Sequence, residues 1–350
     1  MTLFAAGIGY PQIPFWLSAV FMLVGLAAIA WSSDVFVAGA ASLAKALGVS
    51  PFVIGMVVIG FGTSAPELCV SVMSGLSGHA NLSLGNAYGS CVFNIAVILG
   101  VAAMLVPLVV RPAVAFVAGP GLAAISVGSY FIMRDGSCTR GGATILLVAF
   151  ALLMPLYCWF DQKTKPAADA QTGDAAESPS AGLPVLLLKV LVGLVGLVAS
   201  SHILVWGAVD FARSLGVSDL VIGLTIVAAG TSLPELASAI ASARRGENEF
   251  VLGNIIGSNF FNTLAVVGLA TVIQPLVPDA DGSAAFSPYV LSRDIPFMAV
   301  LSFSILVFGL NWRNWRTPGV VTRWKGALWI LSFAAYTALA MLQELKLQGA

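Results

Sequence analysis

The chain has 350 residues, 59% hydrophobic and only 9% charged, with 16 Lys+Arg against 16 Asp+Glu. A mean hydropathy of +0.96 excludes an ordinary soluble domain, in which about a quarter of residues are charged. Zero net charge offers no electrostatic footprint for a polyanion, so no nucleic-acid partner is implied.

A hydrocarbon layer about 30 Å thick needs roughly 20 apolar residues of helix. Ten stretches meet that measure: residues 14–44, 51–77, 83–106, 112–133, 142–160, 183–213, 219–243, 250–274, 294–311 and 325–343. The predicted fold class is an all-α integral membrane protein of ten transmembrane helices. No basic segment precedes the first apolar run, so it reads as a retained spanning helix and not a cleaved signal. The long first and sixth spans must tilt or project beyond the bilayer. Residues 161–182, DQKTKPAADAQTGDAAESPSAG, are too rich in Ala, Pro, Asp and Ser to build a core and predict a flexible linker. It divides the chain into a first five-helix repeat, 1–160, and a second, 183–350. The cysteines Cys69, Cys91, Cys138 and Cys158 form no CxxC pair and lie in apolar context, so neither a disulfide nor a zinc site is read from them.

Residues 46–100 laid over 214–268, a constant shift of 168, give 23 identities in 55 positions without a gap. The chain is an internal duplication. An odd number of spans per repeat makes the second copy enter the membrane from the opposite side, the inverted-repeat plan of many secondary transporters. Alternating spans put eleven Lys and Arg on one side and five on the other: Lys45, Arg111, Lys163, Lys165, Lys189, Arg244, Arg245, Arg313, Arg316, Arg323 and Lys325 against Arg134, Arg140, Arg213, Arg293 and Lys346. The positive-inside rule makes the richer side cytoplasmic, with the linker there and both termini outside the plasma (inner) membrane.

The duplicated stretches GTSAPEL (62–68) and GTSLPEL (230–236) each set a proline and a glutamate in a spanning segment. A carboxylate at the bilayer centre costs about 2.5–3.5 kcal/mol and almost always faces a polar cavity or an ion path. Proline in a helix interior removes a hydrogen-bond donor, here for the carbonyls of Gly62 and Gly230, and irregular backbone at membrane depth survives only inside protein or beside water. Thr63 and Ser64 share a helical face with Glu67, as Thr231 and Ser232 do with Glu235. In the next span Asn86, Ser90 and Asn94 recur every four residues beside Gly85 and Gly89, and the second copy has Asn254, Ser258 and Asn262 beside Gly253 and Gly257. Asn86 and Asn254 suit interhelical hydrogen bonds as well as they suit ligands; the Ser and deeper Asn positions favour ligation. Carboxylate, hydroxyl, amide and carbonyl oxygens without clustered His or Cys suit hard cations such as Ca2+, Na+ or Mg2+. Two carboxylates balance one divalent ion, and when it leaves, protons or sodium ions must replace it.

At these residues, GTSAPEL with LGNAYGSCVFN (84–94) and GTSLPEL with LGNIIGSNFFN (252–262), the sequence resembles the cation/calcium exchanger superfamily, the sodium/calcium exchangers and their prokaryotic relatives. The resemblance implies four cation positions at mid-membrane between the second, third, seventh and eighth spans, with the first and sixth sliding to alternate access. It implies Glu67 and Glu235 as central calcium ligands helped by Thr63 and Thr231. It implies Ser64, Ser232, Ser90 and Ser258 at flanking sodium positions, Asn94 and Asn262 as a deeper polar pair, and the carbonyls of Gly60 and Ala228 as backbone ligands. Two departures stand out: Asn262, where some members carry Asp, and Cys91, where the motif usually reads GSN.

The expected function is antiport of Ca2+ against Na+; Ca2+/H+ or K+-dependent exchange is the alternative. The transported ions are thus Ca2+ and Na+, or H+ or K+, with no cofactor; the partners are inorganic cations and the bilayer, and a monomer is compatible with this plan. No HExxH, no GxSxG and no Ser/His pairing within the repeats suggests an enzyme. Asp34 and Asp210 do not align between the repeats and read as snorkelling or capping residues. His79 and His202 have no metal-ligand spacing, and Trp312, Trp315 and Trp324 read as an interfacial belt.

Overall fold

The computed structural model describes residues 14–76, 80–164, 182–215, 228–278 and 285–348. Expectations for His79, most of the linker and residues 219–227 of the seventh span fall outside them. Eight single helices are long and apolar enough to cross a membrane, and one bent pair makes nine among the described residues. In chain order these are α1 (Phe15–Leu47), the bent pair α2 (Pro51–Thr63) and α3 (Ala65–Leu76), α4 (Ala80–Leu105), α5 (Pro112–Met133) and α6 (Arg140–Thr164). The second half contributes α7 (Leu183–Ser214), a helical turn Ala228–Gly230 with α8 (Leu233–Arg244), α9 (Asn248–Ile273), α10 (Val290–Gly309) and α11 (Arg323–Gln348). The protein is mainly helical, as an apolar solvent demands when every backbone group must be satisfied internally.

α1 runs 33 residues, about 50 Å at 1.5 Å per residue, and stops at Gly48, whose φ of 64° suits a residue without Cβ. It lies antiparallel to α7 along most of its length. Glycines make that approach close: a Cβ on Gly193 would sit 2.6 Å from the Phe36 backbone, and one on Gly25 2.7 Å from the Leu204 backbone. α4 and α9 are the most buried helices and form the centre of the main apolar core with Phe52, Met56, Tyr88, Ile95, Ile255 and Phe260. The first half of α9 rests on α2 backbone to backbone. A Cβ on Gly60 would stand 2.9 Å from the Asn254 carbonyl, and one on Gly257 would collide with Met56.

Contacts between connecting segments sort into two sets that agree with alternating spans. On one face, strands β1 (Leu108–Val110) and β2 (Gly319–Val321) pair antiparallel, and Arg111 meets Asp161 at 2.7 Å and also Glu249. On the other face Cys138 bridges Leu276, the Ser287 N–H donates to Asn81, and Arg293 donates to Gln343 at 2.9 Å.

Two local expectations change. α6 continues through Thr164, four residues into the stretch read as linker. Asp161, only 3% exposed, accepts from Ser50 and pairs with Arg111; a charge so held stabilises the last helical turn instead of solvating a linker. Asp210 is not a snorkelling residue. It is buried between α1 and α7, where the Ser18 hydroxyl donates to it at 2.7 Å, while the exposed Asp34 lies 3.5 Å from Arg245.

Arg111 therefore ties the ends of α5, α6 and α9 together through two carboxylates. Removing one partner of a buried ion pair leaves an uncompensated charge, so Arg111→Leu should lower unfolding free energy by about 3 kcal/mol. Arg111→Leu/Asp161→Leu should recover most of that. Unfolding in detergent checks this; an equal loss in single and double variants would contradict it.

Candidate functional site

The chain breaks between α2 and α3 at Ser64, with a bend of 45°. The helix restarts so that Pro66 is its second residue and Glu67 its third. In the second copy Ser232 is the N-cap, Pro234 lies in the first turn, and Glu235 is again the third residue of its helix. A proline in the first turn removes an N–H that has no helical partner anyway, so the proline is cheaper here than in the helix interior that the sequence suggested. Each carboxylate also sits at the positive end of a helix dipole.

The two breaks face each other. Ser64 Oγ donates to Glu235 Oε1 at 3.0 Å, and Ser232 Oγ donates to Glu67 Oε1 at 3.0 Å. The same shift of 168 that relates the repeats interconverts these two bonds, so each glutamate is held by the serine of the opposite repeat. Ser64, Glu67, Ser232 and Glu235 are buried, both glutamates completely. Ser90 stands 3.4 Å from Ser232 Oγ, and Ser258 donates to the Gly60 carbonyl at 3.2 Å.

Asn86 and Asn254 emerge as braces. The Asn86 amide donates to the Glu67 carbonyl at 3.0 Å and to Ser71 at 2.9 Å. The Asn254 amide donates to the Glu235 carbonyl at 3.3 Å and its Oδ1 accepts from Thr63 at 3.3 Å. Thr63 also donates to the Ile59 carbonyl. Asn94 and Asn262 lie where α4 and α9 widen into π-helical turns, Asn94–Leu99 and Phe261–Val266, a local irregularity that recurs at functional sites. Ala228 stands in the short turn Ala228–Gly230, and Thr231 follows it.

Buried polar atoms normally find partners. Here Glu67 Oε2, Glu235 Oε2, Asn94 Oδ1 and both amide atoms of Asn262 have none, although all four side chains are 0% exposed. These orphaned atoms belong to the duplicated motifs, and four are oxygens that can serve a hard cation. Among the described residues no group of three or more His, Cys, Asp or Glu is arranged to hold a metal, so the oxygen set rests on two carboxylates.

Sequence reasoning missed three features. Ser71 and Ser83 donate to each other's carbonyls at 3.1 and 2.9 Å, clamping α3 to α4. Asn259 accepts from the Asn94 amide at 3.0 Å, and Arg111 gathers the helix ends below. Only Asn259 carried a signal, its alignment with Cys91.

The family described as sodium/calcium exchanger protein matches residues 17–159 and 185–342. A putative antiporter, CaxA of Alkalimonas amylolytica, is 37% identical over 91% of the chain and 97% of its own length. The sodium/calcium exchanger MaX1 of Methanosarcina acetivorans is 28% identical over 90% of the chain and 96% of its own length. Among solved structures, the sodium-calcium exchanger NCX_Mj superposes with a TM-score of 0.76 at 27% identity, covering 93% of this chain and 99% of that one.

The brace predicts a measurable cost. Asn254→Val removes the brace on the Glu235 carbonyl and one of the two Thr63 contacts, and should lower unfolding free energy by about 1 kcal/mol. Thermal unfolding of detergent-solubilised protein reads this, and an unchanged midpoint would contradict the brace.

Proposed function

We propose that the chain, which belongs to the sodium/calcium exchanger family, exchanges Ca2+ for Na+ by alternating access around the paired glutamates. It is an integral membrane cation antiporter and not an enzyme. The observation that carries the coupling proposal is the set of buried oxygens without protein partners on Glu67, Glu235, Asn94 and Asn262.

Two carboxylates neutralise one Ca2+. Emptied, they would lie together out of water with nothing to balance their charge, a state that costs far more than binding monovalent substitutes. The site therefore crosses loaded with one cation type or the other, which is the physical content of exchange. Glu67 and Glu235 hold Ca2+, with Thr63 and Thr231 beside them. Ser64, Ser90, Ser232 and Ser258, with the Gly60 and Ala228 carbonyls, supply neutral oxygens of the kind Na+ accepts, and Asn94 and Asn262 close the centre.

Both glutamates are completely buried, and on the side where β1 and β2 pair the backbone of α2 packs directly on α9 at Gly60 and Gly257. The charge count makes that side cytoplasmic and leaves both termini outside. Inward opening then requires α2 to part from α9, with α1 and α7 moving as one closely packed pair.

Reconstituted in sealed vesicles, the wild type should take up radioactive Ca2+ when an outward Na+ gradient is imposed, and Glu67→Gln or Glu235→Gln should reduce uptake to the level of empty vesicles. Ca2+ movement that follows a pH gradient and ignores Na+ would replace Na+ coupling by the Ca2+/H+ alternative, and a strict K+ requirement would identify the K+-dependent one.

A further inference from the structure

The repeats are related by a shift of 168, and among the positions beside the site at which they differ, Asn259 in the second copy stands where the first has Cys91. Both side chains are buried, at 1% and 0% exposure, and they meet between α4 and α9. The Asn259 amide nitrogen donates to the backbone carbonyl of Cys91 at 3.2 Å. That carbonyl can only accept, so the Asn259 amide has one orientation, with Oδ1 turned to Asn94. Asn94 must then present its own nitrogen there, which it does at 3.0 Å. Its oxygen is left on the other side of the amide, buried and without a protein partner.

The shift carries Asn94 to Asn262 and Asn259 to Cys91. A symmetric molecule would hold Asn262 by an amide oxygen at position 91. The Cys91 thiol instead lies 3.5 Å from the Thr263 hydroxyl and 3.8 Å from the Asn259 carbonyl, and offers Asn262 no such acceptor. Asn262 is 0% exposed, and neither its Nδ2 nor its Oδ1 has a partner. One amide is locked as an oxygen donor to the site, and its counterpart is free to turn either face inward.

Resting on the cation-exchange reading above, we propose that Asn259 is a positioning residue that holds Asn94 with its oxygen toward the transported cation, and that Cys91 leaves Asn262 without this hold. The two halves of the centre therefore ligate unequally. The locked amide meets the cation without turning, while the free one must give up its alternative orientation when a cation arrives.

Initial rates of Na+-driven Ca2+ uptake into vesicles test this with four proteins: wild type, Cys91→Asn, Asn259→Cys, and the swap Cys91→Asn/Asn259→Cys. Cys91→Asn should lower the Ca2+ KM about three- to tenfold and Asn259→Cys should raise it similarly, the scale of one oriented polar contact. The swap moves the lock to the other half and should return KM to within about twofold of wild type with kcat retained. Structural damage alone would lower kcat or the yield of folded protein without reproducing that order. If Asn does not fit at position 91 alone, Asn259→Cys against the swap still decides, because the swap exchanges the two volumes across the interface. The same KM in all four proteins, or a swap no better than Asn259→Cys, overturns the positioning role. A wild type that moves no Ca2+ overturns the exchange reading instead, so the two failures are distinguishable.

Discussion

Two carboxylates at mid-membrane, each held by a serine of the opposite repeat, are the constraint on which the rest of the structure depends. Charge in so apolar a setting is tolerated only with partners. Ser64 and Ser232 supply one partner to each glutamate, the first-turn position supplies the favourable end of a helix dipole, and the remaining oxygen of each has no protein partner. Because the bonds cross between repeats, neither half can complete the site alone.

The surrounding architecture keeps those breaks in register. Asn86 and Asn254 hold the backbone carbonyls of the glutamates themselves, so the braces act on the main chain where the helix restarts. Glycines along α2 and α9 allow backbone contact that larger residues would forbid. α1 and α7 use the same device to pack closely along their length. The Arg111 cluster fastens α5, α6 and α9 on the face where β1 and β2 pair. Through Ser50 and Glu249 that cluster sits at the ends of α2 and α9.

Much of this was legible in the sequence for one physical reason: an expensive residue repeated in register is informative. Glu67 and Glu235, their hydroxyl neighbours and the Asn and Ser stripe could be read from cost and spacing, and Ser64, Glu67, Ser90, Ser232 and Glu235 do meet in the structure. What escaped were relations between segments far apart in the chain. Spacing places Ser64 beside Glu67 on one helix, and only the fold reveals that its hydroxyl serves Glu235. The prolines looked like interior helix-breakers because the restart at Ser64 and Ser232 is a backbone event without a composition signal. Asp161 looked like linker because its partners Ser50 and Arg111 lie 111 and 50 residues away. The π-helical turns at Asn94 and Asn262 left no pattern, since they preserve the apolar character that periodicity reads.

A structure of the protein with Ca2+ bound tests the central claim most directly, through the anomalous signal of the ion. The account predicts one ion within about 2.3–2.6 Å of carboxylate oxygens from both Glu67 and Glu235, between the crossed serines. An ion held by one glutamate alone, or bound away from both, would contradict it.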